Sequence, residues 1–334
     1  MSNIKFLFEE LLKETTDDTT AINLLKKIEA ILAIEPDNNT DESITDVLLS
    51  QGVAINPKLA AQCFTDYLRT HRFMLGTYQC VLQQRNQGKK PIRILYAGTG
   101  PYATIVLPLL YLFSEDEISI TTIEINNNSY TAANRLIRKL KKEEYFDSTL
   151  LTDAITYTPD REFDIIISET MDKALTREPQ LAIFSNLINY LSPTGQLIPE
   201  CIKVDLAASS IYLEKDVPYY CFDDKETRQV NHKHRQFIDN VIAADRHFFE
   251  TQTLIPNQSL FLKTVKTNHI KENLNELIFT TEVIVFGNVA LLEDDSTLTK
   301  KYICYSFANM DKGKEFDIHY LNNDSPRIAL TPKN

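Results

Sequence analysis

Residues 92–124 constrain the fold of this chain more than any other stretch. An apolar run, Ile92-Arg93-Ile94-Leu95-Tyr96, leads into Ala97-Gly98-Thr99-Gly100-Pro101. A segment of helical character follows, and a second apolar run, Ile118-Ser119-Ile120-Thr121-Thr122-Ile123, ends on Glu124. The order reads strand, glycine turn, helix, strand, acid. Glycines at alternate positions let the backbone turn tightly and let a ligand approach it. An acid at the tip of the next strand can accept from both hydroxyls of a ribose. The unit predicts an adenosine-type ligand at the carboxyl edge of a parallel sheet. The plainer reading of two glycines in a short window is an ordinary strand-to-helix turn, and the rest of the unit argues against it.

A nicotinamide-dinucleotide site wants a third glycine, where a helix N-terminus faces a pyrophosphate. Here that place in the alternate-glycine series is Tyr102, preceded by Pro101. A bulky ring is awkward beside a pyrophosphate. S-adenosylmethionine, which has no phosphate, tolerates it.

Between residues 92 and 200, strand and helix patterns alternate. Strands are predicted at 92–97, 118–124, 148–152, 163–168 and 196–199, with helical patterns at 102–113, 128–142 and 178–191. Such alternation predicts a mainly parallel sheet with helices on both faces. Ligands bind such sheets beyond the strand carboxyl ends, where Glu124, Asp153 and Glu169 all fall.

Upstream, residues 3–50 read as helical. Phe6, Leu7, Leu11 and Leu12 recur at helical spacing, and Ile22, Leu25, Ile28 and Leu32 form a stripe that Asp18 or Thr19 could cap. Glu35-Pro36-Asp37-Asn38-Asn39 reads as a loop. A small helical cap is the plain reading, and a self-association surface the alternative. Asn56-Pro57 predicts a helix start, with Gly88 as the stop after about Gln87. Downstream, 204–213 reads as extended, 232–250 as helical, and 259–265, 276–286, 301–308 and 315–321 as β-rich. The predicted division is a helical region at 1–88, a ligand-binding α/β domain at 89–200 and a β-rich substrate or oligomerisation subdomain at 201–334.

Composition narrows the partners. At 334 residues with 43% apolar content, the chain can bury a sizeable core. A net charge of −11 repels phosphate backbones and argues against nucleic acid. The longest apolar stretch, near Ile105–Phe113, is broken by Pro108 and far short of the ~20 residues that span a bilayer. The mixed-charge start, Met1-Ser2-Asn3-Ile4-Lys5, does not read as a signal peptide. The cysteines Cys63, Cys80, Cys201, Cys221 and Cys304 form no Cys-x-x-Cys pair, so reduced thiols, no zinc site and a cytoplasmic location are expected. His232 and His234 stand two apart without further ligands nearby, and no metal site is expected from them.

Two further segments carry chemistry. Leu150-Leu151-Thr152-Asp153-Ala154 ends a strand with an acid that could accept from an adenine amine or simply cap a helix. The run Phe163–Ser168 ends in Glu169, and Glu178 follows nine residues later. Two carboxylates on one loop can hold a guanidinium or amine by charge-assisted hydrogen bonds. The plain alternative leaves Glu178, before Pro179, at a helix start.

In this order the segments resemble class I S-adenosylmethionine-dependent methyltransferases, and most of all the protein arginine methyltransferase family. The resemblance covers about residues 66–200. Asp66-x-x-Arg69-Thr70-x-x-Phe73 resembles the family's helix motif, which implies that Arg69 binds the cofactor carboxylate. LYAGTGPYA at 95–103 resembles the glycine motif, implying cofactor contacts by Ala97, Gly98, Thr99, Gly100 and Tyr102. Glu124 matches the ribose-binding acid, and Asp153 with Ala154 the adenine-side motif. SETMDKALTRE at 168–178 resembles the two-glutamate loop, implying that Glu169 and Glu178 are catalytic. LSPTGQLIPE at 191–200 resembles the turn and strand that follow.

The chain departs from the pattern at named places. Tyr96 stands where the family has an acid and Tyr102 where it has a third glycine. Thr170 and Asp172 replace a tryptophan and a glycine, and Thr194 another glycine. With no tryptophan at all, the chain lacks the family's threonine-histidine-tryptophan motif. The resemblance therefore carries the cofactor further than it carries arginine as substrate. The expected fold is α/β: a Rossmann-like class I methyltransferase domain with an N-terminal helical segment and a C-terminal, mainly β subdomain. The expected activity is methyl transfer to a guanidino or amine nitrogen of a small molecule, peptide or protein. A small-molecule or peptide N/O-methyltransferase of specialised metabolism is the alternative. A silent cofactor-binding subunit and a nicotinamide-dependent oxidoreductase stand further out. No nucleic-acid or membrane partner is expected, and a homodimer is possible by resemblance.

Overall fold

A computed structural model describes residues 2–32, 44–214, 225–307 and 313–333. The expected loop at 35–39 and Cys221 lie outside the described residues. The chain begins with α1 (Ser2–Leu11) and α2 (Asp18–Leu32). α1 buries Ile4, Leu7, Phe8 and Leu11 and turns Phe6 outward; α2 buries Ala21, Leu25, Ile28 and Leu32. The cap of α2 is neither Asp18 nor Thr19. Asp17 Oδ1 accepts from Thr20 N at 2.8 Å, while Asp18 is drawn away by the Arg72 guanidinium at 2.5 Å.

Residues 47–54 are not helical: β1 (Val47–Leu49) and β2 (Gly52–Ala54) pair as a hairpin. α3 (Pro57–Gln62) starts as predicted, with the Asn56 side chain accepting from Leu59 N at 3.0 Å. Asn56 also donates from Nδ2 to Asp46 Oδ1 at 2.8 Å. Asn56→Ala is expected to lower stability by about 1–2 kcal/mol in chemical denaturation; an unchanged midpoint would mean that the cap contributes nothing.

The predicted long helix breaks after α3. A single 3₁₀ turn leads to Asp66, whose ψ of 73° ends helical geometry, and α4 (Tyr67–Asn86) starts afresh. Its end follows the sequence, with Gly88 at φ +84°. His71 of α4 ties it to α1. Burial pushes this imidazole down to about 4, so the ring is neutral. Nε2 donates to Leu11 O at 3.0 Å, and Nδ1 accepts from Arg72 at 2.8 Å.

Five strands then form one parallel sheet: β3 (Ile92–Ala97), β4 (Ile118–Glu124), β5 (Phe146–Leu151), β6 (Phe163–Ser168) and β7 (Leu191–Ile198). The interior strand β6 is buried throughout, as a parallel strand covered on both faces must be. α5 (Leu109–Leu112), α6 (Asn127–Leu140) and α7 (Gln180–Leu187) lie between the strands. The predicted helix at 102–113 survives only as α5. Ala103 is left-handed at φ 46°, and Pro108 stands directly before α5, so the preceding residues form 3₁₀ turns. The spatial order β5-β4-β3-β6-β7 puts the switch of direction beside β3. Crevices at such points take ligands.

Beyond the turn at Pro199-Glu200 the sheets are antiparallel. They contain β8 (Cys201–Ser209), β9 (Gln236–Asp245), β10 (Gln258–Lys266), β11 (Glu276–Phe286), β12 (Val289–Leu291), β13 (Tyr302–Ser306), β14 (Glu315–Asn322) and β15 (Arg327–Pro332), with α8 (Lys225–His234) and α9 (Arg246–Thr251). β12-β11-β8-β9, with β13 on β11, form one sheet, and β10-β14-β15 another. The helix predicted across 232–250 is corrected here. Its middle is β9, paired antiparallel with β8 from Cys201↔Asp245 to Ala208↔Gln236. Asp245 caps the short α9 by accepting from Phe248 N at 2.8 Å. Among the described residues, no helix is long and apolar enough to cross a membrane.

Candidate active site

A cavity of about 110 Å³ opens at the carboxyl ends of β3, β4, β5 and β6. Each strand delivers one piece of it. The turn after β3 holds Gly98 at φ +72° and Gly100 at φ +61°. Glycine at 98 is favoured on two counts: a left-handed backbone, and a Cβ that would lie 2.3 Å from Thr170 Cγ2. At the tip of β4, Glu124 accepts from Gly100 N at Oε2 and from Asn126 N at Oε1, both at 2.8 Å. Glu124 thus fastens the glycine turn, and its oxygens keep lone pairs for further donors. Burial holds its carboxyl above the usual range, opposed by those amides. Asp153 and Ala154, after β5, also line the cavity, with Asp153 Oδ1 accepting from Ile155 N at 2.9 Å.

The loop after β6 brings both glutamates to the same cavity. Arg69, only 8% exposed in the first turn of α4, donates from Nη2 to Glu169 Oε2. The other oxygen, Oε1, is buried without a partner. Burial pushes the Glu169 carboxyl up to about 6 against the pull of Arg69. Glu178 goes further, to about 8, through burial first and then repulsion by Glu169. A buried, half-satisfied carboxylate is costly and marks a place for a donor.

The loop itself is strained and braced. Ala174, Leu175 and Arg177 all have positive φ, at 54°, 55° and 69°. Thr281 Oγ1 on β11 accepts from Ala174 N at 3.0 Å. The Pro326 carbonyl accepts from Arg177 N at 2.9 Å. The hairpin closes over the loop from the other side: Val53 N donates to Arg177 O at 2.9 Å, and Arg177 reaches Asp46 at 2.6 Å. A Cβ on Gly52 would lie 2.9 Å from that same carbonyl, so glycine lets the hairpin seat. Thr170 is fixed by Gln180 Oε1, which accepts from its amide at 2.9 Å and its hydroxyl at 3.2 Å.

Of the residues predicted from sequence, Arg69, Gly98, Thr99, Gly100, Glu124, Asp153, Ala154, Glu169 and Glu178 line this one cavity. Ala97 and Tyr102 do not. Ala97 is fully buried at the end of β3, and Tyr102 is buried with its hydroxyl unpaired, off the lining. Sequence reasoning did not anticipate the roof, Leu49, Ala54, Ile55, Ala60, Cys63 and Phe64. Nor did it anticipate what backs Asp66. That carboxylate is 0% exposed, and its Oδ2 accepts from Ser296 Oγ at 2.8 Å, Thr297 N at 3.1 Å and Thr297 Oγ1 at 2.9 Å. The 3₁₀ turn between β12 and β13 therefore steadies the N-terminus of the helix that presents Arg69. His232 stands apart from the cavity, 3.7 Å from Glu293 and 3.5 Å from Asp294.

No family model matches the chain, and no curated protein matches it. Solved structures do. A chain of the Trypanosoma brucei PRMT1 enzyme–prozyme heterotetrameric complex with AdoHcy superposes with a TM-score of 0.56 at 12% identity, covering 82% of this chain and 92% of that one. Arabidopsis thaliana protein arginine methyltransferase 10, in an open conformation, gives 0.53 at 14% identity, covering 79% and 87%. The chain shares their fold: a Rossmann-like parallel sheet with helices, followed by an antiparallel β region.

Proposed function

We propose that this protein transfers a methyl group from S-adenosylmethionine to a guanidino or amine nitrogen. One observation carries the reading: a buried carboxylate with an unpartnered oxygen, Glu169, shares a cavity with the glycine turn and Glu124. The glycine turn and Glu124 fit the ribose end of an adenosine, Asp153 and Ala154 its base, and Arg69 a carboxylate. The cofactor would supply a methyl carbon already activated by a sulfonium. The chain's task is alignment, and fixing both reactants can contribute ~7–11 kcal/mol. Glu169 and Glu178 would hold the cationic nitrogen group and stabilise charge as it develops. A guanidinium keeps its proton at any working pH, so its deprotonation cannot come first. Glu178, raised to about 8, suits it to take up a proton after attack.

A small-molecule or peptide acceptor is the second reading. It is favoured by the absence of tryptophan from the chain, with Thr170 in the cavity lining and Asp172 on the same loop in place of a tryptophan and a glycine.

Calorimetric titration with S-adenosylhomocysteine, with NADH as control, tests the proposal. Micromolar or tighter binding of the first alone is expected, weakened at least about tenfold in Glu124→Ala. Binding of NADH with no affinity for S-adenosylhomocysteine would move the protein to hydride chemistry. Failure to bind either would remove the cofactor assignment.

A further inference from the structure

Tyr96 is a residue of the cavity wall whose presence neither the glycine turn nor the two glutamates explain. It is the penultimate residue of β3 and pairs in parallel register with Ile167 of β6. Side chains of paired residues share a face, and so do alternate residues along a strand. Tyr96 therefore projects from the face that carries Glu169, two residues beyond Ile167. The ring is 3% exposed, and it lines the cavity together with Arg69 and Glu169.

Its hydroxyl is uncommitted. The Ile105 backbone amide, in a 3₁₀ turn, is an electrostatic neighbour that opposes the effect of burial on the phenol. Among the described residues no side chain or carbonyl takes the O–H, so its proton remains to be donated. It is not donated to Glu169 Oε1, which has no partner. Burial, reinforced by Glu169, keeps the phenol protonated far above neutral pH, so it is a donor under all working conditions.

Arg69 is similarly half-used. One Nη is committed to Glu169. A guanidinium offers five N–H groups, and among the described residues no other acceptor takes one from Arg69. A buried anion entering between these groups would meet a neutral O–H donor and a free guanidinium edge at once, without displacing Glu169.

We propose that Tyr96 and Arg69 form a two-sided carboxylate seat, in which Tyr96 selects ligands that carry a carboxylate at the end remote from the adenine. The inference rests on the cofactor reading above and adds the residue that decides which adenosyl thioethers the site prefers. Glu169 stays paired with Arg69 while the seat is filled, so carboxylate recognition and placement of the acceptor nitrogen share one guanidinium.

The test compares two ligands that differ in one group: S-adenosylhomocysteine and its decarboxylated counterpart, S-adenosyl-3-thiopropylamine. Both are titrated calorimetrically into the wild-type chain and into Tyr96→Phe. The wild type is expected to prefer S-adenosylhomocysteine. Tyr96→Phe is expected to weaken that ligand about tenfold or more, the loss of one hydrogen bond to a charged acceptor. The decarboxylated ligand should bind both proteins within about twofold, which also verifies that the variant folds. Equal weakening of both ligands would make Tyr96 a packing residue, and no weakening of either would leave the carboxylate to Arg69 alone; each result overturns the seat. So would a wild type that binds both ligands equally, while leaving the cofactor in place. A wild type that binds neither ligand overturns the cofactor reading itself, and the seat with it.

Discussion

Glu169→Gln should lower methyl transfer at least about a hundredfold while leaving S-adenosylhomocysteine affinity within about threefold of wild type. The amide keeps the size of the carboxylate and can still accept from Arg69, so the cavity keeps its shape. It loses the charge that would orient a cationic nitrogen. Its NH₂ would also face the incoming cation if it turned toward the position now held by Oε1, which has no partner. Stability should not fall with it. Burial raises the Glu169 carboxyl to about 6 despite Arg69, so above that pH its ionisation costs the folded protein stability, and a neutral amide that still accepts from Arg69 removes that cost. The two effects separate experimentally. Turnover is read with whichever amine or guanidine the wild type accepts, and unfolding is followed in denaturant. Full turnover in the variant would remove the two-carboxylate role whatever the stability change.

What made this site legible in the sequence was local. The glycine turn, Glu124, Asp153 and Glu169 each sit at the end of a strong apolar run, and a parallel sheet places all such ends on one edge. Once the runs are recognised as strands, the convergence follows. What could not be read depends on contacts across long stretches of chain. The helix predicted from 57 to 87 breaks at Asp66 because its carboxylate is claimed by Ser296 and Thr297, 230 and 231 residues away. No local pattern announces that claim. β9 escapes the sequence pattern for a different reason. Ile238, Val241 and Ile242 recur at helical spacing, yet the segment runs beside β8, whose ladder satisfies its backbone groups. The roof hairpin is three residues per strand, too short for periodicity to register, and it is held by Arg177 rather than by its own sequence. Tyr96 lies between these cases. Its position is evident as a departure, but its place beside Arg69 and Glu169 emerges only when the strands assemble the cavity wall.

The second large effect concerns Glu178 and pH. Its carboxyl is raised to about 8 by burial and by Glu169, whereas in the unfolded chain it titrates near the ordinary 4.5. Between those values the folded protein holds a proton that the unfolded chain has released. The unfolded state then binds fewer protons, so stability must fall as pH rises, by at most about 1.4 kcal/mol per pH unit for this group. Below the window both states are protonated and above it both are ionised, so the slope vanishes at each end. Glu169, raised to about 6, adds to the slope only in the lower part. Glu178→Gln is therefore expected to flatten the decline between about pH 6 and 8 and to be more stable than wild type at pH 9, where the wild-type site must hold two buried carboxylates. Denaturant titrations from pH 5 to 9 on both proteins read this directly. A wild type that is flat between pH 6 and 8, or a variant with an unchanged slope, would mean that Glu178 titrates normally. The same proton links stability to chemistry. A cationic acceptor entering the cavity favours the ionised carboxylate, so its binding near pH 7 should release up to one proton, detectable as a heat that varies with the buffer. In Glu178→Gln that release should disappear. A side chain that is protonated in the empty site, ionised when the cation arrives and free to take a proton after attack would spend the energy stored by its burial at the step where charge must be managed.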